Sequence, residues 1–293
     1  MSTSDLSKHG SSSSKRTYNT DQGDLIMIFI YRNTADLFDG LLPRDIELTL
    51  QSGSSDKRVM DVGCGTGKWL IDLVEKYPNI TEASGIDITL IHPQQFPSNV
   101  KFTRQDVLKP FPEDWIGRFD VIQARFLITG IKNFPSLLER LITLLKPGGY
   151  LIIVEPETKS HSTISDSLEE VSPASAKFGD ISYQAMKKFG IDMDAAKNIP
   201  NYMRKSDSFD RVEQVSKDLP MSDWSDDPRL NEIGKAQIPN ALAYPDTIRK
   251  LVLASGLVSQ SEFETIKKDY IDETLKGEGK TVLPIWTIWG KKK

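Results

Sequence analysis

Apolar and polar positions in this chain follow two rhythms, and the changes between them mark its organisation. Between Arg58 and Glu157, short β-branched and aliphatic runs alternate with stretches of helical spacing. The runs RVMDV (58–62), EASGIDI (82–88), VKFTRQD (100–106), RFDVIQAR (118–125) and GYLIIVEPE (149–157) predict strands. GKWLIDLVEKY (67–77) and FPSLLERLITLLK (134–146) predict helices. In the second of these, Leu137, Leu138, Leu141, Leu144 and Leu145 form one buried stripe, and KPGG (146–149) stops the helix. Strands alternating with helices imply a parallel sheet joined by crossover helices.

The flanks read differently. A helix is expected from Thr20 to Leu42, closed by GLLP (40–43), with a second short helix to Gln51. From 157 to about 242 the chain is polar, with Phe178, Tyr183, Met186, Phe189, Met193, Tyr202, Met203 and Phe209 scattered through it. These residues either line an apolar acceptor pocket or form the core of a helical cap. The rhythm then resumes: a helix from Pro245 to Ser255 stopped by Gly256, and strands VSQSEFETIKK (258–268) and VLPIWTIWGKK (282–292). The expected fold is α/β and Rossmann-like: a mostly parallel sheet with helices on both faces, in one domain over 18–293, interrupted by a cap insertion at 157–242. The opening MSTSDLSKHGSSSSKR is Ser-rich without an apolar core, so residues 1–17 read as a disordered tail, not a secretory signal.

Composition narrows the partners. The 37 Lys+Arg against 41 Asp+Glu leave a net charge of -4, which does not suit the phosphate backbone of nucleic acid. A single cysteine, Cys64, permits no internal disulfide and fits a reducing, intracellular setting: the cytoplasm, with the nucleus open. The longest apolar run, LIMIFIY (25–31), is too short to span a membrane. A small molecule is the expected partner.

The chemistry concentrates in VMDVGCGTGKW (59–69), which has the order of a nucleotide-binding turn: strand, carboxylate, glycines, helix start. A phosphate-binding P-loop would need glycine where Val62 stands and a hydroxyl where Trp69 stands. A dinucleotide fingerprint would need glycine at Lys68, which weakens that reading without removing it. S-adenosylmethionine fits better. Gly63, Gly65 and Gly67 let backbone approach a ligand, and the helix beginning near Gly67 faces a carboxylate. Asp61 is placed to receive an ammonium. Asp87 in GIDI stands one strand on for the ribose hydroxyls, and Asp106 in RQDV one further for the adenine amino group. Acids at successive strand ends, together with G-x-G-x-G, are far more specific than the glycines alone.

These segments, with FDVIQARF and LKPGGYLIIVEPE, resemble the class I S-adenosylmethionine-dependent methyltransferases. The likeness extends to the fungal relatives of the velvet-complex methyltransferase and of secondary-metabolite methyltransferases through IHPQQFPSNVKF, DLPMSDWSDDPRLNEIG and an aromatic final strand. The resemblance implies a seven-stranded sheet with its last strand antiparallel, and S-adenosyl-L-methionine as cofactor. It implies a cofactor set of Tyr18, Asp61, Gly63, Gly65, Gly67, Asp87, Ile88, Asp106, Val107, Gln123 and Arg125. The chain departs from that group where DLIMIFIYRN replaces an E..RL segment and a His pair, and where no His precedes the final strand.

Other candidates carry bland alternatives. Arg125 either holds a carboxylate or makes a surface ion pair. Tyr18 and Tyr31 either close over a sulfonium or pack in the core, and Trp69 reads as packing. Glu155 is a possible base at a strand end. His9, His92 and His161 form no constellation, and no metal site is visible. Methyl transfer needs alignment and exclusion of water more than it needs a base. The acceptor atom, N, S or O, therefore stays open. An enzyme acting on a fungal metabolite leads, with a methyltransferase-like regulator acting through protein partners as the alternative.

Overall fold

A computed structural model describes residues 34–52 and 56–293. The expected tail at 1–17, with His9, Tyr18, Tyr31 and the expected helix up to residue 33, lies outside the described residues. A helical turn at Thr34–Leu37 is followed by Asp39, whose positive φ of 63° ends it before the predicted limit at Leu42. Then come α1 (Arg44–Gln51), β1 (Lys57–Val62), α2 (Lys68–Lys76), β2 (Ile80–Asp87), β3 (Val100–Arg104), β4 (Phe119–Arg125), α3 (Phe134–Leu144) and β5 (Leu145–Pro156). Every strand and helix predicted between 58 and 157 is present.

Local chemistry explains these boundaries. Helix α2 starts at Gly67, which is left-handed (φ 71°), and buries Trp69, Leu70, Leu73 and Val74 along one stripe. Helix α3 starts at Asn133, whose side chain accepts from Ser136 N–H, and it buries the leucine stripe read from the sequence. Gly148 (φ 77°) makes the bend between α3 and the long run of β5.

The second half follows as β6 (His161–Ser162), α4 (Leu168–Val171), α5 (Pro173–Lys188), α6 (Ala195–Lys205), β7 (Phe209–Pro220), α7 (Pro228–Ser255), α8 (Gln260–Lys276) and β8 (Thr281–Lys292). The sheet runs β3-β2-β1-β4-β5-β8, with β7 on β8. β1 to β5 pair in parallel, whereas β8 is antiparallel to both β5 and β7. Apart from the two-residue β6, this is the seven-stranded sheet with an antiparallel last strand.

The structure differs further from the sequence reading: the helix expected from Pro245 begins at Pro228 and carries Pro239 and Pro245 inside it. Residues 258–268 are helix, not strand: Ser259 and Glu262 form a capping box, Gly277 closes the helix, and Phe263, Ile266 and Tyr270 recur at helical spacing on its buried side. The missing strand lies at 209–220, inside the stretch read as insertion. β7 occupies the sheet edge and exposes most of its polar side chains, so it carries little hydrophobic alternation.

Two apolar layers cover the sheet. One holds Ile122, Leu141, Ile153, Met203 and Phe209 beneath α3 and α6. The other holds Val59, Trp69, Val121, Ile152 and Ile285 beneath α1, α2 and the start of α7. A third cluster, with Phe178, Met186, Met193, Ile248, Val252, Phe263 and Tyr270, unites α5, the second half of α7, and α8. The scattered aromatics and methionines thus divide between two cores. Phe178, Met186 and Met193 fill the helical cap, while Met203 and Phe209 fill the main body.

Candidate functional site

The turn after β1 is built by its glycines. Gly63, Gly65 and Gly67 all have positive φ (72°, 53° and 71°), a conformation that side chains rarely adopt. Contact adds a second constraint at two of them. A Cβ at Gly63 would strike the Leu127 side chain, and one at Gly67 would strike the Phe102 ring. Gly63 and Cys64 N–H groups both donate to Ile86 O (2.8 and 3.0 Å), tying the turn to the end of β2. Phe102 in turn stacks on His92 (4.4 Å between centroids) and meets Phe96 edge-on. His92 and the PSNVKF segment therefore brace the turn from outside.

Asp87 closes β2. Its Oδ2 accepts from Gly65 N–H (2.9 Å) and its Oδ1 from Thr89 N–H (3.0 Å). Each carboxylate oxygen has a further lone pair, so these bonds leave room for hydroxyl donors. Ile88, beside it, is 61% exposed. Asp106 follows β3, half-buried, and accepts from Leu108 N–H at 2.9 Å, with Val107 half-buried next to it. The acids thus stand at the ends of β1, β2 and β3, as the sequence spacing predicted.

Asp61 and Gln123 are register partners on β1 and β4, so their side chains point to the same face. Both are buried, at 1% and 3% exposure, and Asp61 Oδ2 and Gln123 Nε2 have no hydrogen-bond partner. Burial raises the Asp61 carboxyl to about 7, against the pull of the Arg125 charge and of the neighbouring Gln123 amide, which stands close to Asp61 without a formed hydrogen bond. Arg125 lies two residues beyond Gln123 on the same face, half-buried, and is engaged in an interaction of its own. A cleft of about 110 Å³ opens beside Gln123 and Arg125, walled by Phe38, Leu41, Trp69, Val154 and Trp289. A larger groove, about 650 Å³, lies across the 35–41 segment against Arg229 and Ile233, and its lining holds none of the predicted site residues.

The remaining candidates separate cleanly. Trp69 is packed in the core, as expected. Cys64 is buried, and burial together with Asp61 and Asp87 pushes its thiol up, so it is no nucleophile. His161 is half-exposed, faces Asp218 at 3.5 Å and lines neither cleft. Glu155 is fully buried, and its oxygens accept from Leu127 N–H (2.7 Å) and Ile128 N–H (3.3 Å). A carboxyl so enclosed cannot reach an acceptor's proton, which removes it as a base. Among the described residues no cluster of His, Cys, Asp and Glu fits a metal ion.

The sequence reading missed Leu127 and Phe102, the side chains that press against the glycines. Apolar residues in those positions carry no chemical signal, and only the fold brings them to the turn.

Comparison with known proteins agrees with this fold. Residues 34–206 match the family described as a methyltransferase domain. The secondary metabolism regulator laeA of Coprinopsis cinerea is 27% identical over 256 residues, 85% of this chain and 63% of that protein. The methyltransferase pytC of Aspergillus terreus is 31% identical over 180 residues, 61% of this chain and 53% of that protein. The chain therefore spans between about half and two-thirds of the length of these relatives. Among solved structures, phosphoethanolamine N-methyltransferase 2 of Haemonchus contortus in complex with S-adenosyl-L-methionine shares the fold. Its TM-score is 0.53 at 17% identity, covering 95% of this chain and 59% of that one. A glycine turn flanked by carboxylates at successive strand ends, and a family match over more than half its length, make this chain a member of the methyltransferase domain family.

Proposed function

We propose that the chain methylates a small-molecule acceptor of fungal secondary metabolism. Its cofactor lies over the ends of β1 to β4, and the acceptor enters the apolar cleft beside Gln123 and Arg125. The observation that carries this reading is the pair of buried, unpartnered polar atoms, Asp61 Oδ2 and Gln123 Nε2, next to three left-handed glycines. Buried polar atoms without partners are rare and costly, and a donor–acceptor pair of this kind suits the ammonium and carboxylate of an amino-acid end. When bound, the cofactor supplies a methyl group already activated by its sulfonium.

The chain's own residues bind and orient. Asp61 and Gln123 take the amino-acid end, the backbone of Gly63 to Gly67 approaches closely, Asp87 takes the ribose, and Asp106 with Val107 and Ile88 borders the adenine. Tyr18 belongs to this set by resemblance and lies outside the described residues. Arg125 stands where donor and acceptor meet. The apolar walls of the adjoining cleft favour a ring-sized apolar group, since about 110 Å³ is smaller than a pocket that encloses a whole drug-sized ligand. The helical cap has its own core and lines no wall of this cleft. In this reading the cap is α4, α5, the second half of α7, and α8, while β7 belongs to the sheet.

A regulatory role through protein partners is the second reading, favoured by the match to laeA over most of the chain. Incubation with radiolabelled S-adenosylmethionine and a fungal metabolite extract separates the two. Label in a small molecule is the expected result. Label in none, with a protein partner co-purifying, would sink the enzyme reading.

A further inference from the structure

The loop after β4 carries an unusual conformation with a specific support. Phe126 has φ 54°, one of four described non-glycine residues with positive φ, and an aromatic residue there is strained. The β4–β5 ladder ends where Phe126 N–H donates to Val154 O (3.0 Å). One residue further along β5, a side chain takes over from the backbone. Glu155 accepts from Leu127 N–H and Ile128 N–H, the first donors of the 3₁₀ turn Ile128–Gly130. Both oxygens are engaged, and the residue is fully buried on the sheet face opposite Asp61. The Leu127 side chain held in this way occupies the space a Cβ would need at Gly63.

We propose that Glu155 is a positioning residue for the cofactor cleft: its carboxyl group fixes the backbone of Leu127 and Ile128, and Leu127 in turn holds the glycine turn at Gly63. Loss of the clamp frees Phe126 to relax from its left-handed conformation. Leu127 then withdraws from Gly63, and Arg125, directly before the strained residue, loses its fixed direction. The inference rests on the cofactor cleft described above and assigns Glu155 no contact with cofactor or acceptor.

Two variants test it, Glu155→Gln and Leu127→Ala, each studied at a temperature where circular dichroism shows it folded. Glutamine keeps the shape and one acceptor but turns an N–H toward Ile128 N–H. Calorimetry with S-adenosylhomocysteine should show affinity reduced roughly tenfold or more in Glu155→Gln, from the loss of a buried hydrogen-bond partner. Amide hydrogen exchange at residues 127 and 128 should accelerate in the same variant. Leu127→Ala should weaken S-adenosylhomocysteine binding and speed exchange at Gly63 and Cys64 with the Glu155 contacts intact. A Glu155→Gln protein with a lower Tm but wild-type affinity would make Glu155 merely structural and overturn the proposal. If Glu155→Gln does not fold, unchanged affinity and unchanged exchange at Gly63 in Leu127→Ala overturn it alone. Wild-type protein that binds no S-adenosylhomocysteine refutes the cofactor reading instead, and the exchange measurements still decide the clamp.

Discussion

Asp61 and Glu155 are both carboxyls buried in the same sheet, two strands apart and on opposite faces. Burial raises both: Asp61 to about 7 and Glu155 to about 8. Their surroundings differ. Glu155 lies beneath the post-β4 loop with both oxygens hydrogen-bonded to backbone N–H groups, whereas Asp61 Oδ2 has no partner and looks across at an equally unpartnered Gln123 amide. A fully satisfied buried carboxyl holds structure, while an unsatisfied one next to a glycine turn is where the proposed cofactor would supply the missing donor. The contrast assigns different work to two residues that a count of buried acids would treat alike.

The turn side offers the harshest way to break this comparison. Gly67→Ala should cost about 2–3 kcal/mol of stability, because alanine at φ 71° is strained and its Cβ meets the Phe102 ring. It should also disrupt S-adenosylhomocysteine binding. A thermal melt within a degree of wild type would mean the turn is looser than described. Next comes Asp61→Asn, which should weaken S-adenosylhomocysteine binding roughly tenfold by removing a charged acceptor. At pH 8 it should leave Tm unchanged or raised, since the cost of a buried charge disappears. A Tm loss comparable to that of Glu155→Gln would erase the distinction between the two sites.

A pH titration sharpens the contrast further. The folded-state value for Asp61, about 7, stands above its ordinary 3.8. Its contribution to stability is therefore fully present below about pH 4 and is lost as pH rises through 7. The free protein should lose stability between those limits, by at most about 1.4 kcal/mol per pH unit for one group. Asp61→Asn should flatten that part of the profile, and a saturating ligand that supplies a cation should do the same in wild type. Glu155 adds a further decline toward pH 8 that Asp61→Asn leaves in place. The smallest expected effect is the coupling between the sites. Residues two strands and three register positions apart, ~14 Å, on opposite faces should show stability changes additive within about 0.5 kcal/mol in a double-mutant cycle. A larger coupling would join the two carboxyls into one network.

Much of the cofactor side could be read from the chain. Asp61, Gly63, Gly65, Gly67, Asp87 and Asp106 sit at strand ends because the period-two runs and their glycine stops are local signals. The second half was less legible for two reasons. β7 is an edge strand with polar outward positions, so the alternation that identifies a strand is weak there. Residues 258–268 mix polar and apolar positions in a way that admits either period, although the Ser259–Glu262 capping box, visible in the sequence, argues for helix. Tyr18 and Tyr31 fall outside the described residues, and their part in the site stays a matter of resemblance.

Sequence alone determined the order of strands and helices through β5, the left-handed glycine turn and the acids placed around it. Each of these is encoded by neighbours a few residues apart. Only the tertiary structure decided which face each buried acid occupies, that Gln123 stands beside Asp61, that Glu155 holds a loop and does not attack a proton, and that Leu127 and Phe102 press on the glycines. Those relations join residues far apart in the chain, and nothing short of packing brings them together.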